Sequence, residues 1–319
     1  APVAPVLGIP GGNHGVIAQN VGEMTNKGVE IRLQSNVLEK GKLKWNTDFN
    51  LTFIKNEVTN LISPLTSTYN RTEIGRSIAE LYGFQWAGVN SANGNPLYYK
   101  GDGSIVQFNL SQASADRVWK TYNPANPGDV STNAQALGGA DMAFLGNTLP
   151  KWYGGWSNQL AYGNFDLEIF TRFSGGNYIM NETLRGMLGQ GFSNNHASVL
   201  GRWTEAGQST DIPKLLSGQD ANMWKTGASN SRFVEKGDFV IIQNIVLGYR
   251  IPSVVLENVT NGNVKSVRVF GQIQNPFVFT SYSGLDPEMN QYSNQLQFGV
   301  DWNTAPIIRT YTLGLNVGF

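Results

Sequence analysis

The residues of this sequence that could do chemistry are few and scattered. The 319-residue chain has two histidines, His14 and His196, and no cysteine. Acid–base or metal chemistry needs several such groups to converge on one point, and neither histidine has a second histidine or a carboxylate at the spacing of a known ligand motif. Both stand among glycines and asparagines, which is typical of exposed loops. The sequence therefore predicts no catalytic residue, no metal site and no cofactor.

A second candidate for chemistry is Asp102, in the segment KGDGS. An acidic residue between glycines can belong to a metal or phosphate loop, but the GxxxxGK[ST] pattern of phosphate loops does not follow it. Asp-Gly is also typical of a tight turn in which the glycine adopts a positive φ. We interpret Asp102 as a turn residue.

Aromatic residues in segments rich in Asn, Gly and Pro form a third group. A ring face packs against the C–H groups of a sugar while neighbouring amides bind its hydroxyls, so these residues are candidate ligand contacts. Tyr and Trp are also enriched in protein interfaces, and they pack the interior of loops equally well, so these alternatives stay open. The candidate ligand or partner contacts are Trp86, Tyr98, Tyr99, Trp119, Tyr122 and Trp224.

β-Strands must position these residues, because apolar and polar side chains alternate along much of the chain. The strands are longer than the usual five or six residues, and a tilted strand needs about 9–11 residues to cross a bilayer. Residues 237–249 are apolar on both faces and have the least certain register. The seven predicted strands span residues 26–37, 43–56, 153–162, 165–174, 237–249, 266–279 and 309–319.

The two faces of these strands differ in chemistry. One face is bulky and apolar, with aromatic residues such as Trp156 and Phe277 near strand ends. The other is rich in Asn, Gln, Thr and Gly, and a membrane barrel would turn this face towards a wet lumen where charges can pair. The charged residues on the polar face are Arg32, Asp48, Asp166, Glu168, Arg172 and Arg268.

The connections between the strands differ in length. Antiparallel strands return the chain to alternate ends, so the connections at 38–42, 163–164 and 250–265 share one end, and three much longer ones share the other. Outer-membrane barrels combine short periplasmic turns with long extracellular loops in this way. An extra hairpin could lie inside the first long connection, in residues 79–89 and 97–108. The long connections cover residues 57–152, 175–236 and 280–306.

Composition excludes several classes of protein. Charged residues make up 14% and the net charge is zero, so no basic surface argues for nucleic acid. No run of 18 apolar residues predicts a transmembrane helix.

The start of the chain and the number of strands raise a separate question. The first residues, APVAPVLGIP, have neither an initiator Met nor a signal-peptide pattern. The predicted strands number seven, whereas bacterial barrels have an even number of strands. We therefore expect either a fragment or a missed strand.

Seven stretches, in order, resemble the C-terminal part of SusC/RagA-like TonB-dependent outer-membrane transporters. Trp203 lies in one of them, and we interpret it as structural. The stretches are NVGEMTNKGVEI (20–31), IGRSIAELYGF (74–84), FLGNTLPKWYGGWSNQLAYGNFDLEIF (144–170), RWTEAGQSTDIPKL (202–215), SRFVEKGDFVIIQNIVLGYRIP (231–252), VRVFGQIQNPFVFTSYSGLDPEM (267–289) and RTYTLGLNVGF (309–319).

The resemblance implies an all-β fold, an antiparallel transmembrane barrel of the 22-stranded type closed by a plug. Residues 1–319 would be its C-terminal segment, with the plug domain and the N-terminal barrel strands absent from this chain. It implies residence in the outer membrane, in contact with its lipid, and long loops that face the outside. The implied partners are a SusD-like surface lipoprotein, the TonB energy-coupling system and the rest of the barrel and plug. No enzyme activity and no nucleic acid are implied.

The resemblance also implies import of nutrients, with oligosaccharides as the first expectation and peptides as the alternative. A different class, a soluble carbohydrate-binding or adhesin-like β-sandwich, would also explain the alternation, the aromatics and the missing catalytic groups. An eight-stranded barrel standing alone is a third alternative.

Overall fold

The computed structural model describes residues 3–6, 17–190, 194–216, 230–292 and 296–319. Its main element is one antiparallel sheet of seven strands, here called the long-strand sheet, in which each strand pairs with its neighbours in the sequence. All seven predicted strands are present. They are β1 (Gly22–Lys40), β2 (Leu43–Leu61), β3 (Trp152–Tyr162), β4 (Phe165–Gly175), β5 (Phe239–Arg250), β6 (Ser266–Thr280) and β7 (Thr310–Gly318).

The strand order of this sheet is a meander with two open edges. Among the described residues, β7 pairs only with β6 and β1 only with β2. A sandwich would divide these strands between two sheets joined by Greek-key connections, so the sandwich alternative is wrong. A closed eight-stranded barrel is wrong as well, because no strand of the described residues bridges the open edges of β1 and β7.

The connections segregate as the sequence predicts. The β1–β2 and β3–β4 turns and the β5–β6 connection lie at one end of the sheet, and the connections over 62–151, 176–238 and 281–309 lie at the other. The helices are α1 (Glu182–Met187), in a long connection, and α2 (Ser253–Thr260), between β5 and β6. Within the described ranges, neither is both long and apolar enough to cross a membrane.

The three long connections fold together into a layer of short elements, here called the loop layer. The predicted extra hairpin is present as strands that belong to a second sheet. The short strands of the loop layer are Leu65–Thr66, Asn70–Thr72, Glu80–Val89, Pro96–Tyr99, Ile105–Phe108, Trp119–Thr121, Met142–Gly146, Tyr178–Asn181, Val234–Lys236 and Val300–Asp301, and the 3-10 helices are Ser114–Asp116, Gly139–Asp141, Ala197–Gly201 and Ser231–Phe233. Strands Val3–Val6 and Ile17–Asn20 pair with each other and with no other described strand.

The apolar face of the long-strand sheet is open to its surroundings. Leu313 is 82% exposed and Leu247 is 55% exposed, although both belong to a row of cross-strand neighbours that is aliphatic nearly throughout. An exposed apolar surface of this extent marks contact with a membrane or another apolar partner. The row consists of Leu38, Trp45, Leu160, Leu167, Leu247, Gly271 and Leu313.

Aromatic side chains mark both ends of this face. At the short-turn end, Phe165 and Tyr249 lie with ring centroids 4.7 Å apart. At the long-loop end, Phe277 and Phe279 stack at 6.4 Å. Rings at both borders of an aliphatic band correspond to the aromatic girdles that barrels place at the two membrane interfaces.

Two polar side chains interrupt the apolar face, and tryptophans supply their hydrogen bonds. The indole of Trp45 donates to Asn158 Oδ1 at 3.1 Å, and the indole of Trp156 donates to Thr47 Oγ1 at 2.8 Å. The Thr47 hydroxyl in turn donates to Asn158 Oδ1 at 3.1 Å. An unpaired polar group in an apolar medium is costly. These bonds lower the free-energy cost of placing Thr47 and Asn158 on the apolar face.

The polar face carries ion pairs between strands, as the sequence predicts. Arg32 on β1 donates from Nη2 to Asp48 on β2 at 2.6 Å, and Arg268 on β6 forms a bidentate pair with Asp166 on β4. Arg172 pairs with Glu288, which comes from the third long connection. Exposed pairs of this kind contribute little to stability because water and salt screen them, so their main effect is to fix side-chain positions.

The doubly apolar segment of β5 is explained by a bulge. The pairing with β4 shifts between Ile242 and Asn244, so Gln243 is the extra residue and the alternation changes phase there. Before the bulge, Phe239 and Ile241 point to the polar face, where Ile241 is fully buried. Phe239 lines a cavity together with Glu288, so the loop layer covers this end of the polar face.

A ring packed on a glycine joins β6 to β7. Phe270 and Gly314 are direct cross-strand partners, and a Cβ added to Gly314 would lie 2.2 Å from the Phe270 ring. Such pairs are a known way of stabilising glycine in a sheet. Gly271, on the opposite face, has nothing within 4 Å of the position its Cβ would occupy.

These two glycines allow a matched test of the packing. Gly314→Ala should lower the free energy of unfolding by about 1–3 kcal/mol, since the ring must move, whereas Gly271→Ala should have little effect. Denaturant unfolding in detergent micelles, followed by circular dichroism, measures both. In a protein that also carries Phe270→Ala, Gly and Ala at position 314 should give nearly the same free energy of unfolding. Equal stability of the two alanine variants would contradict the packing described here.

Candidate ligand and partner site in the loop layer

Three of the predicted ligand contacts lie in the core of the loop layer. The rings of Trp86 and Tyr98 meet edge to face at 5.1 Å, and those of Tyr98 and Trp119 meet at 5.7 Å. Tyr98 is 2% exposed and Trp119 is 4% exposed. In this arrangement Tyr98 and Trp119 pack the fold, as one of the alternatives predicts, and they present no surface to a ligand.

The other candidates have different surroundings. Tyr99, next to Tyr98 on the same strand, points the opposite way and is 40% exposed. Tyr122 is half-buried. Trp224 lies outside the described residues, as does His14. A ligand contact therefore remains a prediction for Trp86, Tyr99, Tyr122 and Trp224, and Tyr99 is the most accessible of the described candidates.

Asp102 and Trp203 have the structural roles predicted for them. Asp102 accepts hydrogen bonds from the N–H and the hydroxyl of Ser104, which hold the pKa of its carboxyl below the usual value. Gly103, with φ +83°, completes the turn. The Trp203 indole donates to the Ser91 carbonyl at 2.8 Å, and its ring occupies the space beside Gly94 where a Cβ would stand.

A cavity of about 670 Å³ lies between the second and third long connections. Apolar side chains line one part of it, and amides, hydroxyls and carboxylates line the rest, so it suits a ligand that offers both hydroxyl or amide groups and C–H surface. The lining includes Asn181, Leu184, Met187, His196, Asp211, Leu285, Asp301 and Asn303. These residues come from several short segments of two long connections and share no local motif, so sequence reasoning missed the cavity.

A buried carboxylate organises one wall of this cavity. Asp301 accepts a hydrogen bond from the Tyr282 hydroxyl at 2.7 Å and another from Thr304 at 2.5 Å. Burial, and then the bond to Asp301, raise the pKa of Tyr282 above its usual value. The tyrosine therefore remains a hydrogen-bond donor at neutral pH. His196, on another wall, has Nδ1 2.8 Å from the Ser198 hydroxyl, a local contact at the start of a 3-10 helix.

A buried ion pair fixes α1 at the edge of the cavity. Glu182 and Arg185 pair within the helix and are both buried. Burial, and then the nearby charge of Glu182, raise the pKa of Tyr69, which comes from the first long connection. Tyr69, Glu182 and Arg185 thus link the first long connection to the second. Breaking one half of a buried pair is strongly destabilising, so we interpret it as structural.

A second cavity, of about 500 Å³, lies where the loop layer meets the long-strand sheet. Arg172 and Glu288 line it, together with Tyr153, Asn177 and Asn290. The Arg172–Glu288 pair spans from β4 to the third connection, so it joins the sheet to the loop layer. Neither cavity gathers metal ligands: within the described residues, no three His, Cys, Asp or Glu side chains are placed to hold a metal ion.

Comparison with known sequences identifies relatives along nearly the whole chain. No protein-family model matches it. The TonB-dependent receptor P3 of Formosa agariphila is 29% identical over 318 residues, which cover 94% of this chain and 29% of that protein. The TonB-dependent receptor SusC of Bacteroides thetaiotaomicron is 26% identical over 324 residues, or 95% of this chain and 27% of SusC. The chain thus spans less than a third of these relatives.

Solved structures agree on the fold. The RagAB peptide transporter superposes with a TM-score of 0.73 at 21% identity, over 95% of this chain and 30% of that one. The RagAB importer in its open-open state gives 0.68 at 22% identity with the same coverage. The predicted fold class, part of a larger antiparallel barrel, is confirmed. At 26–29% sequence identity over 94–95% of its length, the chain is homologous to the TonB-dependent receptors, SusC among them.

Proposed function

We propose that the complete protein is an outer-membrane, TonB-dependent importer of nutrients, and that residues 1–319 form the C-terminal segment of its barrel. The observation that carries this proposal is the exposed apolar face of the long-strand sheet, bordered by rings at both ends. Strands of 9 to 19 residues are long enough to cross a bilayer when tilted. The homology with TonB-dependent receptors supports the same assignment.

The two open edges of the sheet support a larger barrel. A bilayer offers no hydrogen bonds to the backbone, so open edges are not tolerated there and a spanning sheet must close. We infer that further strands of the same polypeptide pair with β1 and β7, and that a plug fills the lumen. The polar face, with the paired Arg32, Asp166 and Arg268, would line that lumen.

Import through such a barrel makes and breaks no covalent bond in the substrate. The side chains of this segment would bind, orient and release a solute, and energy would come from the TonB system through parts of the protein outside this chain. The loop layer would face the outside, because barrels of this type place their long loops there. A solute would meet the loop layer first and then the Arg172–Glu288 pair at the long-loop end of the sheet.

A SusD-like surface lipoprotein is the proposed partner of the loop layer. SusC is among the relatives, and the RagAB peptide transporter is among the structural neighbours. The loop layer also exposes large apolar side chains, which suit a protein interface. These are Leu200, Leu285 and Trp302.

Oligosaccharides are the proposed substrate, with peptides as the alternative. The cavity beside α1 offers amides, hydroxyls and apolar surface without an unpaired cluster of positive charge, which fits neutral polyhydroxylated molecules. The alternative rests on the likeness to RagAB, which is described as a peptide transporter.

Membrane extraction tests the location. The complete protein should stay in the outer-membrane fraction during washes with high salt and alkaline carbonate and should enter solution only with detergent. Immunoblotting of the fractions gives the result, with a known peripheral membrane protein as control. Release by salt or carbonate alone would exclude the proposed barrel.

An arginine scan at two neighbouring residues tests the proposed orientation of the sheet. Leu313→Arg should destabilise the protein in lipid by about 2–4 kcal/mol if it faces the bilayer midplane, whereas Thr312→Arg, on the lumen face, should cost much less. Denaturant unfolding in vesicles measures both. In water, Leu313→Arg would replace an exposed leucine at almost no cost, so equal stabilities would favour a soluble protein.

Two adjacent tyrosines separate ligand contact from folding. Tyr99→Ala should reduce uptake of the substrate with no change in melting temperature, because the ring is exposed. Tyr98→Ala should lower the stability of the loop layer by about 3–5 kcal/mol, the usual cost of removing a buried ring. Uptake of labelled oligosaccharides and of labelled peptides of similar mass would also distinguish the two substrate classes. Unchanged uptake of both by Tyr99→Ala would remove Tyr99 from the site.

A further inference from the structure

The apolar face of the long-strand sheet contains a groove over β6. The groove has a volume of about 550 Å³ and is centred on Gly271, the one residue without a side chain in the aliphatic row. Apart from Gly271, the side chains that line it on this face are Leu167, Ile245, Leu247, Ile273, Tyr311 and Leu313. It therefore accepts a hydrocarbon chain and offers little to a polar ligand.

The backbone does not require glycine at position 271. Gly271 is not among the residues with positive φ, and a Cβ there would meet nothing within 4 Å. Gly314 on the next strand differs, since the ring of Phe270 fills its empty space. The missing side chain at Gly271 thus leaves a notch that no described part of the chain fills.

A positive charge lies just before β6, six residues ahead of the notch at Gly271. Lys265 directly precedes β6, and its backbone N–H donates to the Gly318 carbonyl at 2.8 Å, so it continues the pairing with β7. Because alternate residues share a face, Lys265 lies on the same side as Val267, Val269 and Gly271. Its side chain forms no ion pair with the carboxylates of the described ranges.

The spacing between the charge and the notch matches one leaflet of a bilayer. Six residues separate Lys265 from Gly271, or about 20 Å along a strand at about 3.4 Å per residue. A strand tilt of about 40° reduces this to about 15 Å of depth, which is half of the roughly 30 Å hydrocarbon core. With Lys265 at the headgroups of the leaflet on the short-turn side, the notch lies at the bilayer midplane.

From this geometry we infer that β6 carries a binding site for one phospholipid. The phosphate contacts the Lys265 ammonium, and an acyl chain follows Val267 and Val269 along the strand and ends in the notch at Gly271. Leu315 and Leu313 on β7 form one side of its path, and Tyr249 and Leu247 on β5 form the other. The site rests on the proposed placement of the sheet in the outer membrane.

Photo-cross-linking in lipid nanodiscs tests this inference on the complete protein. The probes are phosphatidylglycerol and phosphatidylcholine that carry a diazirine at the end of one acyl chain. Mass spectrometry of the cross-linked peptides should find most of the label near residues 271–273 and 311–313. The apolar face of β1 and β2, around Leu33 and Phe53, provides the reference level for lipid that contacts the protein without a site.

Three variants make the test specific. Gly271→Leu should reduce the label at the groove to the reference level, while Gly271→Ala, which fits without collision, controls for folding. Lys265→Gln should lower labelling by phosphatidylglycerol about fivefold, the effect of about 1 kcal/mol for one lysine at an anionic surface, and should leave phosphatidylcholine almost unchanged. Lys40→Gln, at the same end of the sheet but on β1, is the matched control and should change neither.

The possible results separate the inference from the proposed function. Label spread evenly over the apolar face, and unaffected by Gly271→Leu and Lys265→Gln, would overturn the phospholipid site and leave the barrel intact. Absence of lipid label from the whole apolar face would overturn both. A photoreactive residue placed at Leu313 that joins two copies of the protein, with no lipid attached, would replace the phospholipid by a second copy and overturn the inference.

Discussion

The pairing of backbone N–H and C=O groups between neighbouring strands is the interaction on which the rest of this structure depends. The apolar face of the long-strand sheet is compatible with an apolar medium only because every inner strand is hydrogen-bonded on both sides. The same ladder fixes which side chains share a face, so it also aligns Arg32 with Asp48 and brings Arg268 to Asp166. The positions of the loops follow from it as well, because antiparallel strands place successive connections at alternate ends and every second connection is a long one.

The sequence carries most of this framework because alternation with a period of two is a strong signal over strands of this length. All seven strands could be predicted, with errors of a few residues at their ends. The bulge at Gln243 could not be predicted, since apolar residues occur on both sides of it and the burial of Ile241 depends on a loop from a distant part of the chain. The Arg172–Glu288 pair was hidden for the same reason, as its partners lie 116 positions apart.

The loop layer was less accessible to sequence reasoning than the sheet. Exposure of an aromatic ring cannot be read from its type: Tyr98 and Tyr99 are adjacent and identical, yet only Tyr99 reaches the surface. The cavity beside α1 is formed by several short segments of two long connections, so no local sequence pattern predicts it. By contrast, the roles of Asp102 and Trp203 could be predicted because each depends on residues close in sequence or on a recurrent motif.

The rings that cover glycines have a consequence for how the strands find their alignment. A slip of two residues between neighbouring strands keeps every side chain on its proper face, so alternation alone does not forbid it. Such a slip would take Phe270 away from Gly314 and set it against Thr312 or Asn316, and it would likewise separate Phe173 from Gly154, its partner on the other face. Each ring–glycine pair therefore favours a single strand register. With one pair on each face of the sheet, they disfavour shifted pairing in a long and repetitive meander.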